Sequence, residues 1–552
     1  MPVLLFTNRR FLTLICVFLL FVIWVIFTYS KFTTHGLSLS PDSYIYLDTA
    51  LNISEGRGIV HSFVMTNQLN IWDNEKRYIP MNYWAPGFPL LIVLAHKLFG
   101  YSSFPSASEI CIWLAFIGTT SIVFFQTSRF WGVNAGIWSF ILILLLYPIS
   151  YVYSWVWSDG IVIPFTLGSL WLLTEQKKFH KVTSIFSGIL AGLAFSIRYI
   201  HGLLLPLGFF IILTQQIFFE SEENIPNQSK FFPTKCYKVL ATSFLFTTGW
   251  AICAIPIFAR NLIVTGSIFG LPRPQSDISL WQNIKLTFSA LSTNWIFPKI
   301  IPNEIQGSLL VALFFFIILI IVVQRKYSIL KEYIKHHLVF IHFIWAVSYL
   351  IVIIIYTSFY QIDVISHRLL FPFTISIIIL FSGLFERVFP LPYWLMVVFS
   401  SLSIFLFTLL YPIASENYFT TENLLNDNPR LQWVCSETQP NDWIIGDSTF
   451  DITLGCGHRR SLCFIPTSDE EGPPNEQTFF SFLNRIESKE ARVFILLRKG
   501  VPLEEAFFDQ WKKYYGNVIA HLVFDSEYKY IKTKNRWAEK SFVALEIEYN
   551  PL

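Results

Sequence analysis

The chain has 552 residues, 53% hydrophobic, 18% aromatic and 14% charged, with a formal net charge of +3 and a mean hydropathy of +0.51. This composition excludes a soluble globular domain, and the small charge, scattered in short basic clusters between apolar runs, excludes nucleic acid as a partner. The seven cysteines form no CxxC pair and no His or acidic residues gather at zinc-ligand spacing, which argues against a structural metal site.

A bilayer core of about 30 Å takes about 20 apolar residues per helix. In chain order, such runs predict spans near residues 10–29, 107–127, 133–153, 159–174, 183–199, 202–219, 239–259, 306–324, 338–357, 368–385 and 391–412, about eleven crossings. The first follows Arg9-Arg10 but is long and lacks a small-residue cleavage site, so it reads as a retained anchor. Short loops rich in Lys and Arg stay cytoplasmic. Here these are 128–132, 175–181 with Lys177, Lys178 and Lys181, 220–238 with Lys230, Lys235 and Lys238, and 324–337 with Arg325, Lys326, Lys331 and Lys335.

The N-terminus is then inside, and four segments face out: a long first loop over 30–105, a short turn at Trp157-Ser158-Asp159, a third over 260–306, and everything after Tyr411. Between these anchors the apolar run 86–99 is short for a crossing and reads as an interfacial or re-entrant helix. On that parity Asp42 and Asp159 share the outer face.

Beyond residue 412 the apolar content falls. Strand-like runs at 443–445, 493–497, 518–524 and 542–547, with helically spaced apolar residues over 503–515, predict a small α/β domain. The expected architecture is a polytopic α-helical membrane protein, residues 1–412, with a small C-terminal α/β extracytoplasmic domain, 413–552. In an oxidising compartment two of Cys435, Cys456 and Cys463 could pair, Cys456 with Cys463 first, while free buried thiols stay equally open.

A carboxylate at the water-facing mouth of an apolar bundle is costly unless it binds or catalyses something. Asp42, in Ser40-Pro41-Asp42-Ser43-Tyr44-Ile45-Tyr46, is therefore the leading candidate for the chemical centre. Asp159 has two open readings, a functional acid and a helix N-cap. Candidate cations at outer span ends are Arg198, His201, Arg260, Arg273, His367 and Arg368. Each has a plain alternative, an arginine snorkelling to headgroups or, for His201, packing. Trp72, Tyr78, Tyr83, Trp84 and Phe88 crowd the first loop, either as an interfacial belt or as surfaces for sugar and polyprenyl chains. Asn52-Ile53-Ser54 and Asn227-Gln228-Ser229 match the N-glycosylation pattern, a motif common by chance.

The order of one span, a long outer loop opening on Asp42 with Tyr44 two residues on, the juxtamembrane Trp84-Ala85-Pro86-Gly87-Phe88-Pro89, and an acid at the next outer turn resembles the GT-C membrane glycosyltransferases. The likeness is to bacterial relatives of the protein O-mannosyltransferases and of the lipid A aminoarabinose transferases (glycosyltransferase family 39). Gly188-Ile-Leu-Ala-Gly-Leu-Ala-Phe-Ser-Ile-Arg198, Arg260-Asn261 leading to Thr265-Gly266-Ser267-Ile268-Phe269-Gly270, and His367-Arg368-Leu369-Leu370-Phe371-Pro372 are similar to further pieces of that group, and together they cover about residues 8–385.

The resemblance implies transfer of a sugar from a polyprenyl phosphate to a lipid, glycan or protein acceptor on the outer, periplasmic face of a bacterial inner membrane. It implies Asp42 as base in an inverting displacement. Asp159 would be a second acid that binds donor, orients the base, or joins Asp42 around a divalent cation such as Mg or Mn. It also implies Arg260 and Arg368, with Arg198 and His367, as donor-phosphate ligands, and Tyr44, Tyr83 and Trp84 as substrate contacts. Two departures stand out. The aminoarabinose transferases carry a Lys before two prolines where this chain has Tyr83-Trp84-Ala85-Pro86, and the mannosyltransferases' lumenal insertion has no counterpart. The rival class is a lipid-linked-saccharide transporter, flippase or polymerase. A transporter would show internal repeats, which are not found here, and that class leaves the early Asp and the long tail without a role.

Overall fold

In the computed structural model the described residues are 18–31, 36–65, 78–101, 103–174, 176–215, 228–270, 273, 275–293, 295, 333, 336–389, 391–410, 429–439, 442–447, 450–456, 460–464, 492–498, 519–528, 531–532, 535–536 and 540–548. The expected span 306–324, the helical segment 503–515, Trp72 and Asn227 lie outside them. By its internal contacts the chain divides into two units, residues 1–32, 82–88 and 110–412, and residues 33–81, 89–109 and 413–552.

The first unit is a helical bundle. Its members are α1 (Phe18–Lys31), α4 (Phe104–Trp131) from Ile110 onward, α5 (Val133–Leu145), α6 (Tyr147–Tyr153), α7 (Ser158–Thr174), α8 (Gln176–Ile197), α9 (Leu204–Thr214), α10 (Gln228–Thr265), α11 (Leu280–Ser292), α12 (His337–Phe359), α13 (Phe371–Val388) and α14 (Tyr393–Leu410); of α3 (Gly87–Phe99) only Gly87 and Phe88 belong to this unit. Among the described residues, four helices are long and apolar enough to cross a membrane: Phe104–Trp131, Tyr237–Thr265, His337–Phe359 and Phe371–Val388.

In a bilayer, apolar surface alone gives helices no reason to associate, so small residues and polar cross-links decide the contacts. Both devices are present. The Gly188 and Gly192 stretch of α8 packs on α10 so tightly that a Cβ on Gly188 would lie 2.0 Å from the Phe246 carbonyl oxygen, and one on Gly249 2.2 Å from that of Ile185. Ser187 Oγ donates to the Ser169 carbonyl at 2.9 Å, tying α8 to α7. Gln126, His342 and Ser376 form a buried chain across α4, α12 and α13, and Trp24 of α1 is fully buried, edge-on to Phe116 and Phe140.

Replacing Gly249 with alanine is expected to cost about 1–3 kcal/mol by overpacking a backbone contact that cannot yield. Gly118→Ala, whose Cβ would meet Pro164 at an ordinary 3.5 Å, should be nearly silent. Thermal unfolding of the two purified variants in detergent checks the contrast, and equal melting temperatures would refute the packing argument.

The second unit is built on a six-stranded sheet in the order β2-β5-β4-β6-β10-β7. The strands are β2 (Phe63–Met65), β4 (Trp443–Asp447), β5 (Arg460–Phe464), β6 (Val493–Arg498), β7 (Ile519–Tyr528) and β10 (Lys540–Glu548). The first four run parallel, and β10 joins β6 and β7 antiparallel. Consecutive residues Ile444 and Ile445, and Phe494, Ile495 and Leu496, are all buried, as parallel strands covered on both faces require. Leu431 and Val434 of α15 (Pro429–Glu437) and Ile452 of α16 (Phe450–Gly455) pack against Ile444, Phe494 and Leu496. Two small pairs complete the strands, β1 (Val60–His61) with β3 (Ile79–Pro80) and β8 (Ile531–Lys532) with β9 (Asn535–Arg536).

Sequence did not anticipate that β2, from the segment 30–105, pairs with β5 in register Phe63↔Ser461, Val64↔Leu462 and Met65↔Cys463. The helix α2 (Pro41–Ser54) packs on α16 in the same unit. One expectation is corrected: the disulfide joins Cys435 to Cys456, with Cα atoms 4.8 Å apart, and not Cys456 to Cys463. Cys463 is committed to the middle of the sheet, paired with Met65 and Gly446, whereas the close approach of α16 to α15, with Gly455 against Leu431, brings Cys435 and Cys456 together.

Candidate functional site

In the helical unit the chain leaves α6 and crosses to α7 through Ser154-Trp155-Val156-Trp157. The Trp157 N–H donates to the Trp155 carbonyl at 2.9 Å, closing a tight three-residue turn at Val156, and the two indoles stack at 4.7 Å with planes 5° apart. The start of α7 is fixed by Tyr153, whose hydroxyl donates to the Gly160 carbonyl at 3.2 Å and lies 2.7 Å from Thr119 Oγ1. A Cβ on Gly160 would come within 2.7 Å of the Tyr153 ring, so glycine is the residue that fits after Asp159.

Asp159 is thereby held in the first turn of α7, 3% exposed. Two arginines from distant parts of the chain meet it. Arg198, just past the end of α8, pairs with Oδ1, and Arg368 Nε donates to Oδ2 at 3.0 Å. Arg368 sits in the turn before α13, which Tyr349 anchors by donating to the Leu369 carbonyl at 3.1 Å. Its guanidinium also reaches Asp363 Oδ2 at 2.9 Å and lies 4.4 Å over the Trp157 ring, a stacking that suits guanidinium more than ammonium.

The core of the cluster is two guanidiniums around one carboxylate, since Asp363 is 62% exposed and screened by water. Such an excess of fixed, planar donors suits an anion with several oxygens. A divalent cation does not fit at Asp159, because both carboxylate oxygens already face guanidinium groups and a dication would be repelled by them.

The other expected residues fall as follows. His367 is buried, edge-on to Trp295; burial lowers its pKa to about 4, against the opposing effect of its hydrogen bond to the Thr293 backbone, so at neutral pH it offers a hydrogen bond and no charge. Arg260 is half-buried near the end of α10 and donates to Asn261 Oδ1 at 3.1 Å. Asn261 in turn donates to Tyr199 Oη and the Ile268 carbonyl, which shapes the turn ending at Gly270. There φ is +82° and a Cβ would lie 2.6 Å from the Asn82 carbonyl oxygen, so the close approach demands glycine.

Tyr83 and Trp84 are half-buried and meet edge to face. Arg273 donates to the Tyr83 carbonyl at 3.0 Å and lies over its ring, so a cation does stand beside the segment that lacks the family's Lys. Burial raises the Tyr83 pKa, partly offset by Arg273. His201 is fully buried, 2.8 Å from Thr166 Oγ1, among Trp345 and Tyr349, a packing position.

In the sheet-containing unit, Asp42 occupies the first turn of α2, half-exposed, behind a reciprocal cap in which Ser43 Oγ accepts from Ser40 N at 2.9 Å and Ser40 Oγ from Ser43 N at 3.4 Å, with Pro41 entering the helix. Tyr44 is buried in the packing of α2. The sequence reading missed Asp48, which is fully buried, and the Trp157 platform. A charged residue five or six positions into an otherwise buried helical run was the available signal for the first.

The helical bundle belongs to a known class of architecture: the chain has the GT-C fold of its solved neighbours, and it is an integral membrane protein. Within that class it is similar to ArnT from Cupriavidus metallidurans, with TM-score 0.57 and 11% identity over 97% of this chain and 98% of that one in the apo state. Against ArnT bound to undecaprenyl phosphate the TM-score is 0.55, with 10% identity over 96% and 97% of the two chains. It is also similar to the archaeal oligosaccharyltransferase AglB from Archaeoglobus fulgidus in complex with an inhibitory peptide and a dolichol-phosphate, with TM-score 0.51 and 11% identity over 88% and 69%. At these identities the likeness is one of fold. No protein-family model matches the chain, and no curated protein matches its sequence.

Proposed function

We propose that the chain is a glycosyltransferase that moves a sugar from a polyprenyl-phosphate donor to an acceptor hydroxyl or amine outside the cytoplasm. The observation that carries this reading is the buried Asp159 between Arg198 and Arg368, set in a fold whose solved examples include complexes with undecaprenyl phosphate and dolichol-phosphate. In the proposed reaction the acceptor oxygen or nitrogen attacks the anomeric carbon and loses its proton to the Asp42 carboxylate. The bond from that carbon to the phosphate oxygen breaks, its electron pair stays on the oxygen, and polyprenyl phosphate leaves. Attack opposite the leaving group inverts the anomeric centre. Fixed cations facing the developing phosphate charge lower the barrier, the role assigned to Arg198 and Arg368, with Arg260 and Arg273 as further ligands.

About eleven spans, a cytoplasmic N-terminus and an outward C-terminal α/β domain complete the proposal. The Lys and Arg distribution supports that orientation, and the Cys435–Cys456 bond fits an oxidising compartment.

The test has two arms. Membranes containing the chain are given radiolabelled polyprenyl-phosphate sugar; label appearing covalently on an envelope acceptor is expected, and label that only crosses the bilayer would replace this reading with a flippase. Purified protein is then titrated with undecaprenyl phosphate, whose affinity should drop roughly tenfold or more in Arg368→Ala, as loss of a charge-assisted contact predicts. Unchanged affinity would remove Arg368 from the phosphate site.

A further inference from the structure

Asp48 lies in α2, fully buried. Its Oδ2 accepts from the Ser62 backbone N–H at 2.5 Å and its Oδ1 from the Ser62 hydroxyl at 3.1 Å. Asn52, also buried, donates from Nδ2 to the Asp48 carbonyl at 2.9 Å and to Ser62 Oγ at 3.1 Å. Arg57 donates to Asn52 Oδ1 at 3.2 Å, pairs with Glu55 and covers the Tyr78 ring. Asn52 is thus spent inside this clasp, which denies the Asn52-Ile53-Ser54 motif the accessibility a glycan acceptor needs.

Ser62 is the residue immediately before β2, and β2 is the strand that the segment 30–105 adds to the edge of the C-terminal sheet beside β5. The clasp therefore joins the helix that carries Asp42 to a sheet whose other strands lie about 380 to 490 residues downstream. A second tie, α2 against α16, runs from the same helix to the same layer, and α16 is fastened to α15 through Cys435–Cys456.

We propose that Asp48 is a positioning residue for Asp42: by holding Ser62 it locks α2 to the β2 edge of the C-terminal sheet, so that the C-terminal part of the chain fixes where the Asp42 carboxylate stands during transfer. The proposal rests on the reading of Asp42 as base. It assigns the long tail a task in the reaction, independent of any acceptor it binds.

The clasp has a distinguishing chemistry. Ser62 Oγ can accept as well as donate, so an amide at position 48 keeps both contacts, with its carbonyl receiving the Ser62 N–H and its NH2 donating to Ser62 Oγ. Burial raises the Asp48 pKa to about 7, outweighing the Ser62 hydrogen bonds and the charge of Arg57, which lower it, and joined weakly by Glu55, which raises it. A raised folded-state pKa means that the closed clasp binds its proton more tightly than an opened one. Its stability is complete below the ordinary carboxylate range and is lost as pH rises towards about 7.

Hydrogen exchange on the full-length protein in detergent, across pH 5 to 8 and corrected for intrinsic rates, reads the clasp without any substrate. Wild-type protection in Pro41–Ser54 and Phe63–Met65 is expected to fall as pH rises and to level off above about 7, while Asp48→Asn stays flat. Asp48→Ala should expose both segments about tenfold more. In the transfer assay it should lower kcat about tenfold or more with the donor KM nearly unchanged, since a misplacement near 1 Å suffices for that loss, and Asp48→Asn should restore it. Unchanged exchange in Asp48→Ala, or loosened segments with full kcat, would overturn the proposal. If Asp48→Ala fails to fold, Asp48→Asn decides, because a pH dependence like that of the wild type would equally refute the clasp. Failure of the transferase reading shows separately, as absence of transfer by the wild type.

Discussion

Asp159→Ala is expected to destabilise the protein by about 3–5 kcal/mol, the cost of breaking a buried ion pair, and to abolish sugar transfer. The carboxylate is nearly inaccessible, and Arg198 and Arg368 are only 20% and 12% exposed. Removing it leaves two guanidiniums facing one another with no charge between them. Arg368 keeps Asp363 and the Trp157 face, but Asp363 is exposed and its pairing is correspondingly weak. The double variant Asp159→Ala with Arg198→Met should recover part of the lost stability, because it removes the repelling partner as well.

Urea or thermal unfolding in detergent measures the cycle; strictly additive effects would show that the ion pair is a surface ornament and not the organiser of the cluster. Activity should fall with the double variant too, since the proposed phosphate ligands lose their fixed geometry even where the fold is regained. Stability and transfer thus separate, which a purely structural role for Asp159 does not predict.

Of the expected spans, those near 107–127, 239–259, 338–357 and 368–385 fall on the four helices that are long and apolar enough to cross a membrane among the described residues, because such a helix announces itself by composition alone. The run 133–153, by contrast, is broken at Leu146 into α5 and α6. The runs near 338–357 and 368–385 correspond to His337–Phe359 and Phe371–Val388. The sequence also marked Asp42, Asp159, Arg198 and Arg368 individually, as charges at the ends of apolar runs. What it could not carry was pairing. Asp159 lies 39 residues before Arg198 and 209 before Arg368, and no periodicity encodes a contact that depends on three helices packing.

The Gly188 to Arg198 stretch illustrates the mixture. Its glycines were visible as a pattern, yet their purpose, close packing of Gly188 and Gly192 on the Phe246 and Trp250 backbone of α10, is a property of two helices together. The strand β2 escaped for a different reason. Three residues, Phe63-Val64-Met65, are too short to stand out from loop, and they become a strand only because β5 offers an edge. The cysteine pairing failed likewise: Cys456 and Cys463 are near in sequence, but strand register places Cys463 in the sheet and packing of α15 on α16 selects Cys435.

Asp42→Asn should leave the fold intact and reduce transfer by about 10²- to 10⁴-fold, the usual contribution of a positioned general base. The side chain is half-exposed and stands in the first turn of α2. The cap that starts this helix is made by Ser40 and Ser43 and not by Asp42. An amide of the same size therefore leaves the cap in place, and the weaker match to the helix dipole costs about a few tenths of a kcal/mol. The loss should sit in kcat, with the KM for the polyprenyl-phosphate donor unchanged, because the proton is taken only as the acceptor attacks.

A control at an exposed acid elsewhere in the chain, Asp277→Asn, should match the wild type. If Asp42→Asn transfers sugar at the wild-type rate, the proton is taken elsewhere and α2 is merely a scaffold. If instead donor KM rises while kcat holds, Asp42 binds the donor and the base must be sought among other outward carboxylates.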